Sequence, residues 1–346
     1  MMMKAAVMRA HGAPGVLQIE DMPIPQPGPD EALVRVKASG VSYHDVVERN
    51  GTYRADAHFP VVLGYEIAGV VEKIGERVTG VKIGDRVCCK VHHSCGRCRY
   101  CRNGMETACA KRRSVHGGYA EFVVLADEVL VKLPDAVDFA SGCMIGPTIG
   151  VALNAVRDVA KVRLGDRVLV TGASGGLGLP SIELAKSAGA TVIAHTRSEA
   201  KAQALRDIGA DHVVVAGDRV DFSDQVMALT NGDGVEVVID NVGSRVFTPC
   251  FKSLAMGGRY AFVGQLFKEQ ISINPARIFF RRAQLLGVGS VRRDQLEDAV
   301  RLVADGKVRC HVAAEMPLAE VAEAHARVEA GNVVGRIVLI PGEITP

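Results

Sequence analysis

The amino-acid sequence predicts an α/β protein with a strand-rich first part and a parallel sheet in its second part. Before residue 148, β-branched runs are broken by glycines, as in VVLGYEIAGVVEKIGERVTGVKIGDRV. Strands joined by tight glycine turns are typical of barrel-like folds. From residue 148 on, apolar strands alternate with helical stretches. This alternation indicates βαβ units and a doubly wound parallel sheet.

The individual elements follow from the same periodicities. Residues 4–10 and 31–38 predict strands, joined by a proline-rich extended connection. In the second part, strands are predicted at DRVLVTGA, TVIAHT, DHVVVA, VEVVIDNVG and GRYAFVGQ. Helices are predicted at GLPSIELAKSAGA, SEAKAQALRDIGA, FSDQVMALTNG and through SLAMG. After residue 288, DQLEDAVRLVADGK predicts a helix and GRIVLIP a closing strand.

Composition narrows the classes of function. The chain has 346 residues, of which 48% are hydrophobic and 23% charged, with a formal net charge of +2. This balance predicts neither a nucleic-acid nor a membrane partner, and no apolar run reaches the length of a membrane-spanning helix. We see no export signal. The nine cysteines are odd in number and four share one loop, which favours a reducing, cytoplasmic setting.

That loop is the clearest metal motif. Within residues 94–110, the stretch SCGRCRYCRNGMETAC spaces four cysteines by two, two and seven residues. Four thiolates complete the tetrahedral shell of a zinc ion and leave no open position, so such a zinc organises a loop. We expect one structural zinc, bound by Cys95, Cys98, Cys101 and Cys109.

A glycine-rich loop predicts a dinucleotide. VLVTGASGGLG follows a predicted strand and opens a predicted helix. Glycine permits a tight turn there, and the N–H groups at the helix start face a pyrophosphate. The predicted contacts are Gly172, Ser174, Gly175, Gly176, Leu177 and Gly178.

The end of the next strand, AHTRSEAK, favours NADPH over NADH. An NAD site expects an acid at this point to hold the ribose hydroxyls. The sequence offers Thr196, Arg197, Ser198 and Lys201 instead, a set of cations and hydroxyls that suits a 2′-phosphate.

Together, the cysteine loop, the glycine loop and the stretches GVSYHDV, LGYEIAGVV, VKIGDRV and GGYAEFV resemble the medium-chain dehydrogenase/reductase superfamily. The resemblance implies a GroES-like β-barrel catalytic domain (1–147), a Rossmann cofactor-binding domain (148–288) and a C-terminal return to the catalytic domain (289–346). It also implies a homodimer or homotetramer. The implied nicotinamide contacts are Asn241, Val242, Gly243, Val263 and Gly264.

Zinc alcohol dehydrogenases of this superfamily also carry a catalytic zinc, and its ligand positions differ here. The first cysteine of the motif falls on Ser42, the histidine on Tyr65, and the third ligand near Pro147. Cys143 lies four residues before that third position, and Glu66 is retained. Serine, tyrosine and proline do not make a dependable zinc site, so we expect no Lewis acid for the substrate.

Branches that lack this metal usually reduce a C=C bond conjugated to a carbonyl, with hydride from NADPH and hydrogen-bond donors for the enolate. SYHD resembles the [NC]-Y-[KR]-D segment of acryloyl-CoA reductases, which implies Tyr43 and Asp45 as catalytic residues. Tyr53 resembles the proton donor of enoyl-thioester reductases, and Tyr65 is a further candidate. Alternatively, Tyr43 packs in the barrel and Asp45 caps a helix.

The expected substrate is therefore a small α,β-unsaturated carbonyl compound: an enoyl thioester such as acryloyl-CoA, an enone or a quinone. Two other functions stay open, an alcohol or carbonyl dehydrogenase with a non-metal site and a non-catalytic NADPH-binding protein. The run RIFFRRAQLLG contains Arg277, Arg281 and Arg282. These arginines either bind the phosphates of a CoA thioester or form the solvated rim of a buried strand.

Overall fold

The computed structural model describes residues 1–52, 58–217 and 220–342. Contacts divide the chain into two compact units, the first formed by Met1–Gly150 with Ser290–Pro346 and the second by Val151–Gly289. The strands are β1 (Met2–Met8), β2 (Leu17–Pro23), β3 (Glu31–Val41), β4 (Val61–Val62), β5 (Glu66–Ile74), β6 (Arg86–Cys89), β7 (His92–His93), β8 (Arg113–Ser114), β9 (Phe122–Ala126), β10 (Leu130–Lys132), β11 (Arg167–Val170), β12 (Thr191–Thr196), β13 (His212–Val215), β14 (Val235–Asp240), β15 (Leu254–Phe262), β16 (Gln284–Gly287), β17 (Val312–Pro317) and β18 (Arg336–Ile340).

The α-helices are short, and most of them connect strands. They are α1 (Tyr43–Arg49), α2 (Arg99–Arg102), α3 (Phe139–Met144), α4 (Val151–Leu153), α5 (Gly178–Ser187), α6 (Ala202–Ile208), α7 (Ser223–Leu229), α8 (Ser244–Lys252), α9 (Pro275–Arg281), α10 (Arg293–Ala304) and α11 (Val321–Ala330). Two π-helical turns, Ile145–Gly150 and Asn154–Val159, continue α3 and α4 into one helical segment.

The first unit is built on mainly antiparallel sheets. Its largest sheet has the order β10-β6-β5-β3-β18-β17, with β9 also paired to β3. Alternating β-branched residues on β3 and β5, such as Val34, Val36 and Ile67, bury one face in the core. The C-terminal strand β18 runs antiparallel to β3, with Val338 opposite Gly40. The C-terminal part of the sequence therefore returns to a sheet formed by the first 150 residues.

The second unit is a six-stranded parallel sheet of order β13-β12-β11-β14-β15-β16. With the strands counted along this unit, the order is 3-2-1-4-5-6, which is the order of a dinucleotide-binding sheet. Its inner strands are almost continuously buried, as expected for a parallel sheet covered on both faces. The predicted fold class is thus confirmed.

Two details of the sequence prediction are wrong. The stretch SLAMG is not helical, because α8 ends at Lys252 and β15 begins at Leu254, where it pairs with Val235 of β14. Pairing with a neighbouring strand has overridden the local pattern. The expectation that no apolar run reaches the length of a membrane-spanning helix is also wrong. The helical segment Phe139–Val159 has the length and mean hydropathy (1.4) of such a helix, but 83% of its most apolar window is buried inside the protein. It has the character of a core helix.

Candidate active site and metal centre

The four loop cysteines converge on one point. All four Sγ atoms lie within 4.8 Å of one another. Cys98 Sγ lies 3.5 Å from that of Cys101 and 4.0 Å from that of Cys109. Four thiolates at about 2.3 Å from a zinc ion have sulfurs about 3.8 Å apart. Within the described residues, no other group of three or more His, Cys, Asp or Glu side chains converges in this way.

Backbone amides favour the thiolate form of these cysteines. The amide of Cys95 donates to Cys109 Sγ at 3.3 Å, and the amide of Cys98 donates to Cys95 Sγ at 3.4 Å. A hydrogen bond from the backbone of Cys101 contributes most to lowering the pKa of Cys98, to about 6. The donor set and its geometry fit a structural zinc.

The loop is tied to the rest of the first unit by a buried lysine. Lys90, only 2% exposed, pairs with Glu106 at 3.2 Å and with Glu128 at 2.9 Å. Glu128 also accepts a hydrogen bond of 2.7 Å from the amide of Ser94, next to Cys95. Lys90 and Glu128 therefore hold the start of the cysteine loop at Ser94, and Lys90 holds its later part at Glu106.

Ser42 and Asp45 form the start of α1. Ser42 is the N-cap, and its Oγ accepts the amide of Asp45 at 3.2 Å. The Asp45 carboxylate in return accepts the Ser42 amide at 2.9 Å and the Ser42 hydroxyl at 2.7 Å. This reciprocal capping box satisfies donors at the helix start. Asp45 therefore caps helix α1, which is the alternative to a catalytic role that the sequence analysis left open.

Tyr65 extends this pair into a chain of three groups. Its hydroxyl donates to Ser42 Oγ at 2.8 Å, although the tyrosine lies outside α1, directly before β5. Burial raises the pKa of Tyr65 well above its usual value, and the neighbouring carboxyls of Glu66 and Asp45 add to the shift. Burial also raises the pKa of Asp45, against the opposing effect of the Ser42 hydrogen bond. The result is a buried path Tyr65–Ser42–Asp45 along which a proton can move.

The retained Glu66 has an arginine partner. Its Oε1 lies 3.0 Å from Arg336 of β18, and both residues are buried. Burial raises the pKa of Glu66 to about 7, although Arg336 opposes this rise. The carboxyl thus titrates near neutral pH.

The other residues considered for this site lie nearby or outside the described chain. Tyr43 is the half-buried first residue of α1. The Asp45 carboxylate accepts hydrogen bonds from Ser42 and from the amide of Gly64, and Ser42 in turn accepts one from Tyr65. Cys143 is buried and its thiol donates to a carbonyl of its own helix. Pro147 lies in the first π-helical turn, and Tyr53 lies outside the described residues.

In the second unit, the glycine loop follows β11 and leads into α5. Gly172 has φ +56°, a conformation that favours glycine. A Cβ on Gly178 would lie 2.4 Å from the Gly172 carbonyl oxygen and 2.5 Å from Cα of Ala173. A Cβ on Gly175 would meet nothing nearer than 3.4 Å. Gly178 is thus required for close packing of the backbone. Gly175 leaves room above the backbone. Ser174, Gly176 and Leu177 complete the turn.

One of the predicted phosphate contacts, Lys201, reaches this loop. Nζ of Lys201 donates to Oγ of Ser174 at 3.4 Å. Burial lowers the pKa of Lys201, and the charge of Arg197 lowers it further. Two cations held this close favour an anion between them. The Thr196 hydroxyl accepts the amide of Ser198, which keeps both hydroxyl residues at the same strand end.

A second loop follows β14. Asp240 is buried and accepts hydrogen bonds from the hydroxyls of Thr171 (2.6 Å) and Tyr260 (2.7 Å). Its Oδ1 also accepts the amides of Val242 and Gly243 at 3.0 Å each. Oδ1 of Asn241 is buried and accepts no hydrogen bond from the described residues. Such an acceptor without a partner suits a hydroxyl or amide donor of a bound dinucleotide. The backbone amides of Val263 and Gly264 donate to the carbonyl oxygen of Asp240.

The arginine run of RIFFRRAQLLG is largely structural. The guanidinium of Arg281 donates to the carbonyl oxygens of Phe251, Lys252 and Leu254. Arg277 lies over the ring of Phe251.

Two family models match the chain. Residues 28–135 match the alcohol dehydrogenase GroES-like domain, and residues 176–305 match the zinc-binding dehydrogenase model. The acryloyl-coenzyme A reductase of Sulfurisphaera tokodaii is 33% identical over 96% of this chain and 100% of its own length. The chain belongs to the medium-chain dehydrogenase/reductase superfamily. It is an oxidoreductase of the zinc-binding dehydrogenase family, whose members typically bind NAD(P).

Further members of the superfamily are similar over nearly the whole chain. The quinone oxidoreductase of Rattus norvegicus is 28% identical over 98% of both chains. A crystal structure of AibC superposes with a TM-score of 0.91, at 42% identity over 99% of this chain and 96% of that chain. A zinc-binding dehydrogenase from Sinorhizobium meliloti, solved with NADP, has a TM-score of 0.86 at 29% identity, over 99% of this chain and 100% of that chain.

The sequence analysis did not identify the link between Ser42 and Tyr65. The spacing S-x-x-D at residues 42–45 is a capping-box signal and could have predicted the pair Ser42–Asp45. The contact with Tyr65, 23 residues away in sequence, has no such local signal.

Proposed function

We propose that the protein catalyses the NADPH-dependent reduction of a C=C bond conjugated to a carbonyl group. The observation that carries this proposal is the hydrogen-bonded chain Tyr65–Ser42–Asp45, which occupies two positions where zinc alcohol dehydrogenases of the superfamily hold their catalytic metal. The names of the relatives, an acryloyl-coenzyme A reductase and a quinone oxidoreductase, support a substrate with an activated double bond.

In this reaction, bound NADPH supplies a hydride to the β-carbon of the substrate. The chain's own residues then manage the proton and the negative charge of the enolate. When Asp45 is protonated it donates to Ser42, and Ser42 donates to Tyr65, the reverse of the directions described for the carboxylate. The Tyr65 hydroxyl then gives its proton to the enolate, Tyr65 takes the proton of Ser42, and Ser42 takes that of Asp45. Asp45 is left as a carboxylate and regains a proton from solvent. Tyr43, at the start of the same helix, is the second candidate for the proton donor.

The preference for NADPH rests on charge. Arg197 and Lys201, with the hydroxyls of Ser174, Thr196 and Ser198, offer a 2′-phosphate two cations and several donors. No acid stands at the strand end to hold a free ribose diol, because Thr196 ends β12 and Arg197 follows it. The relative solved with NADP supports the same cofactor.

An alcohol or carbonyl dehydrogenase is the second candidate. The same path run in reverse would take the proton of an alcohol to a carboxylate at Asp45. A substrate panel separates the two functions: acryloyl-CoA, crotonyl-CoA and simple enones with NADPH, against simple alcohols with NADP⁺. Reduction of one or more unsaturated compounds, with little oxidation of alcohols, supports the proposal. Robust oxidation of alcohols alone would favour the second candidate.

Exposed apolar side chains favour a homo-oligomer. Strand β16 lies at the edge of the parallel sheet. Beside it, Phe279 and Phe280 of α9 are 61% and 74% exposed, and Leu285 of β16 is also exposed. We propose that this edge pairs with a second copy of the chain, which sedimentation of Phe280→Glu would test by a shift towards monomer.

A further inference from the structure

Two loops, at the carboxyl ends of β14 and β15, are joined by the side chain of Gln265. Oε1 of Gln265 accepts the amide of Ser244, the first residue of α8, at 2.8 Å. Nε2 donates to the carbonyl oxygens of Phe267 at 2.6 Å and of Glu269 at 2.9 Å. The side chain thus binds the start of α8 on one side and its own loop on the other.

The partners of the Gln265 amide fix its orientation. The backbone N–H of Ser244 can only donate, and the two carbonyl oxygens can only accept. A reversed amide would place its NH₂ group against that N–H and its oxygen against two other oxygens. Oγ of Ser244 lies 3.0 Å from Nε2 and donates to Oε2 of Glu269 at 3.3 Å, so the hydroxyl belongs to the same network.

The two loops approach each other more closely than side chains would allow. Gly243 has φ +93°, and a Cβ there would overlap Oε1 of Gln265 and lie 3.0 Å from its Cα. A Cβ on Gly264 would lie 2.7 Å from the carbonyl oxygen of Asn241. Glycine at these two positions therefore permits the approach that brings Gln265 to Ser244.

Further contacts fasten the same two loops. The backbone amide of Leu266 donates to the carbonyl oxygen of Val242 at 3.1 Å. Arg245 of α8 pairs with Glu269 at 3.2 Å, and its guanidinium carbon lies 3.3 Å from the centre of the Phe267 ring. Each of these contacts joins the loop after β15 to the start of α8 or to the residues just before it.

A cavity of about 440 Å³ lies beside Gln265. Ligand pockets in proteins typically have volumes of roughly 300–1,000 Å³. The lining includes Val263 and Gly264, two of the predicted nicotinamide contacts, together with Gln265 and Glu269. The other three predicted nicotinamide contacts belong to the loop after β14. The ring would therefore use both of the loops that Gln265 joins.

We propose that Gln265 is a positioning residue that joins the two loops into one platform for the nicotinamide ring. This proposal rests on the dinucleotide binding that the proposed function requires. Loops that moved independently would each have to be ordered when the ring binds, at a cost in affinity. Gln265 orders them beforehand, which holds the ring in place for hydride transfer. It acts through the two loops rather than on the reacting atoms.

The test compares the whole cofactor with the same molecule without its nicotinamide. Calorimetric titration of zinc-loaded full-length protein measures the Kd of NADP⁺ and of 2′-phospho-ADP-ribose. Gln265→Met keeps a side chain of similar length and removes its hydrogen bonds. We expect NADP⁺ binding to weaken about 10-fold and binding of 2′-phospho-ADP-ribose to stay unchanged, because only the ring uses the platform. NAD⁺ and ADP-ribose are titrated in parallel, so that the comparison holds whichever dinucleotide binds.

Hydrogen exchange in the unliganded protein reports on the loops themselves. The amides of Ser244 and Leu266 should exchange about 10-fold faster in Gln265→Met than in wild type. Ser244→Ala removes the hydroxyl and keeps the backbone amide that binds Gln265, so it should weaken NADP⁺ binding only about 2–3-fold, with the same selectivity. Gln225→Met, an exposed change on α7, is the matched control and should alter neither affinity nor exchange.

Equal weakening of NADP⁺ and 2′-phospho-ADP-ribose would show that Gln265 serves only the stability of the second unit and would overturn the proposal. Unchanged affinity for both ligands would overturn it as well. If Gln265→Met does not fold, the selectivity of Ser244→Ala decides in its place.

None of these measurements needs turnover, so they separate the platform from the proposed function. Selective weakening in a protein that reduces none of the unsaturated compounds would refute the function and leave the platform intact. Failure of the wild-type protein to bind either NADP⁺ or NAD⁺ would refute both.

Discussion

The hydroxyl of Tyr65 lies 2.8 Å from Oγ of Ser42, so two side chains at the superfamily's metal-ligand positions bind each other. Ser42 is in turn 2.7 Å from the Asp45 carboxylate. A tyrosine and a serine in this arrangement handle protons, whereas a histidine and a cysteine there would hold a cation. In the reduction proposed above, this pair supplies acid–base chemistry through hydroxyl groups on the fold of a zinc-binding dehydrogenase.

Removal of the Tyr65 hydroxyl should reduce turnover and leave cofactor binding intact. We expect Tyr65→Phe to lower kcat for enone reduction about 100-fold, because it loses the donor to the enolate. NADPH affinity, measured by fluorescence titration, should stay at the wild-type value. Tyr43→Phe is the matched variant on α1. A larger loss in Tyr43→Phe than in Tyr65→Phe would identify Tyr43 as the donor instead.

Metal analysis should find one zinc ion per chain. Cys101→Ser removes one of four ligands, so we expect loss of the metal and a lower melting temperature. Cys310→Ser is the control, since this cysteine is outside the cluster and should leave the zinc content unchanged. Retention of a full zinc equivalent by Cys101→Ser would contradict the four-cysteine site.

The two glycines of the cofactor loop should differ in their response to a methyl group. Gly178→Ala brings Cβ against backbone atoms at 2.4–2.5 Å and should cost about 1–3 kcal/mol of stability. Gly175→Ala brings Cβ no nearer than 3.4 Å to another atom, an ordinary van der Waals contact, so its melting temperature should stay near wild type while NADPH binding weakens. Calorimetry and a cofactor titration measure the two effects. Equal stability losses in both variants would count against this assignment.

Reversal of charge beside β12 should change the preferred cofactor. Arg197→Glu replaces a phosphate partner by an acid that can accept the ribose hydroxyls. We expect the ratio of kcat/KM for NADPH over NADH to fall about 10–100-fold, since hydrogen bonds to charged groups contribute about 1.5–3 kcal/mol. Arg206→Glu, an exposed change on α6, should leave the ratio unchanged. An unchanged ratio in Arg197→Glu would remove the basis for the NADPH preference.

Glu66 should make stability depend on pH. Its pKa in the folded protein is raised to about 7 from the ordinary 4.5, so the folded state binds more protons between these values than the unfolded state. The contribution of Glu66 to stability should therefore be largest at and below pH 4.5 and decline by roughly 3 kcal/mol as pH rises to 7, with Asp45 adding a slope of the same sign. Burial lowers the pKa of His325 to about 3, which adds a slope of opposite sign below pH 6.5, so the contribution of Glu66 is read from the difference between two curves. Urea unfolding of wild type and Glu66→Gln from pH 5 to 8 should show that the wild type loses stability relative to the variant as pH rises. A slope equal to wild type would show that Glu66 does not titrate in this range.

Local sequence patterns predicted the fold and two of the binding features. Strand and helix periods recur within a few residues, and the order of strands in the second unit follows from their alternation with helices. The four cysteines and the glycine loop are equally local, because a metal shell and a phosphate turn each require particular residues at short spacings. For these two loops, the residue types and their spacing along the chain are enough to predict the local structure.

The tertiary structure decided which polar groups meet. Tyr65 bonds Ser42 across 23 residues, and His325 bonds Tyr119 across 206 residues. Chain periodicity has no signal at such separations, because the contacts depend on how β5, α1 and α11 pack. The same reason explains SLAMG, where pairing with β14 overrode a helical pattern. The sequence by itself thus determined the scaffold and the loops predicted to bind zinc and a dinucleotide, and long-range packing determined which buried polar groups form hydrogen bonds with one another.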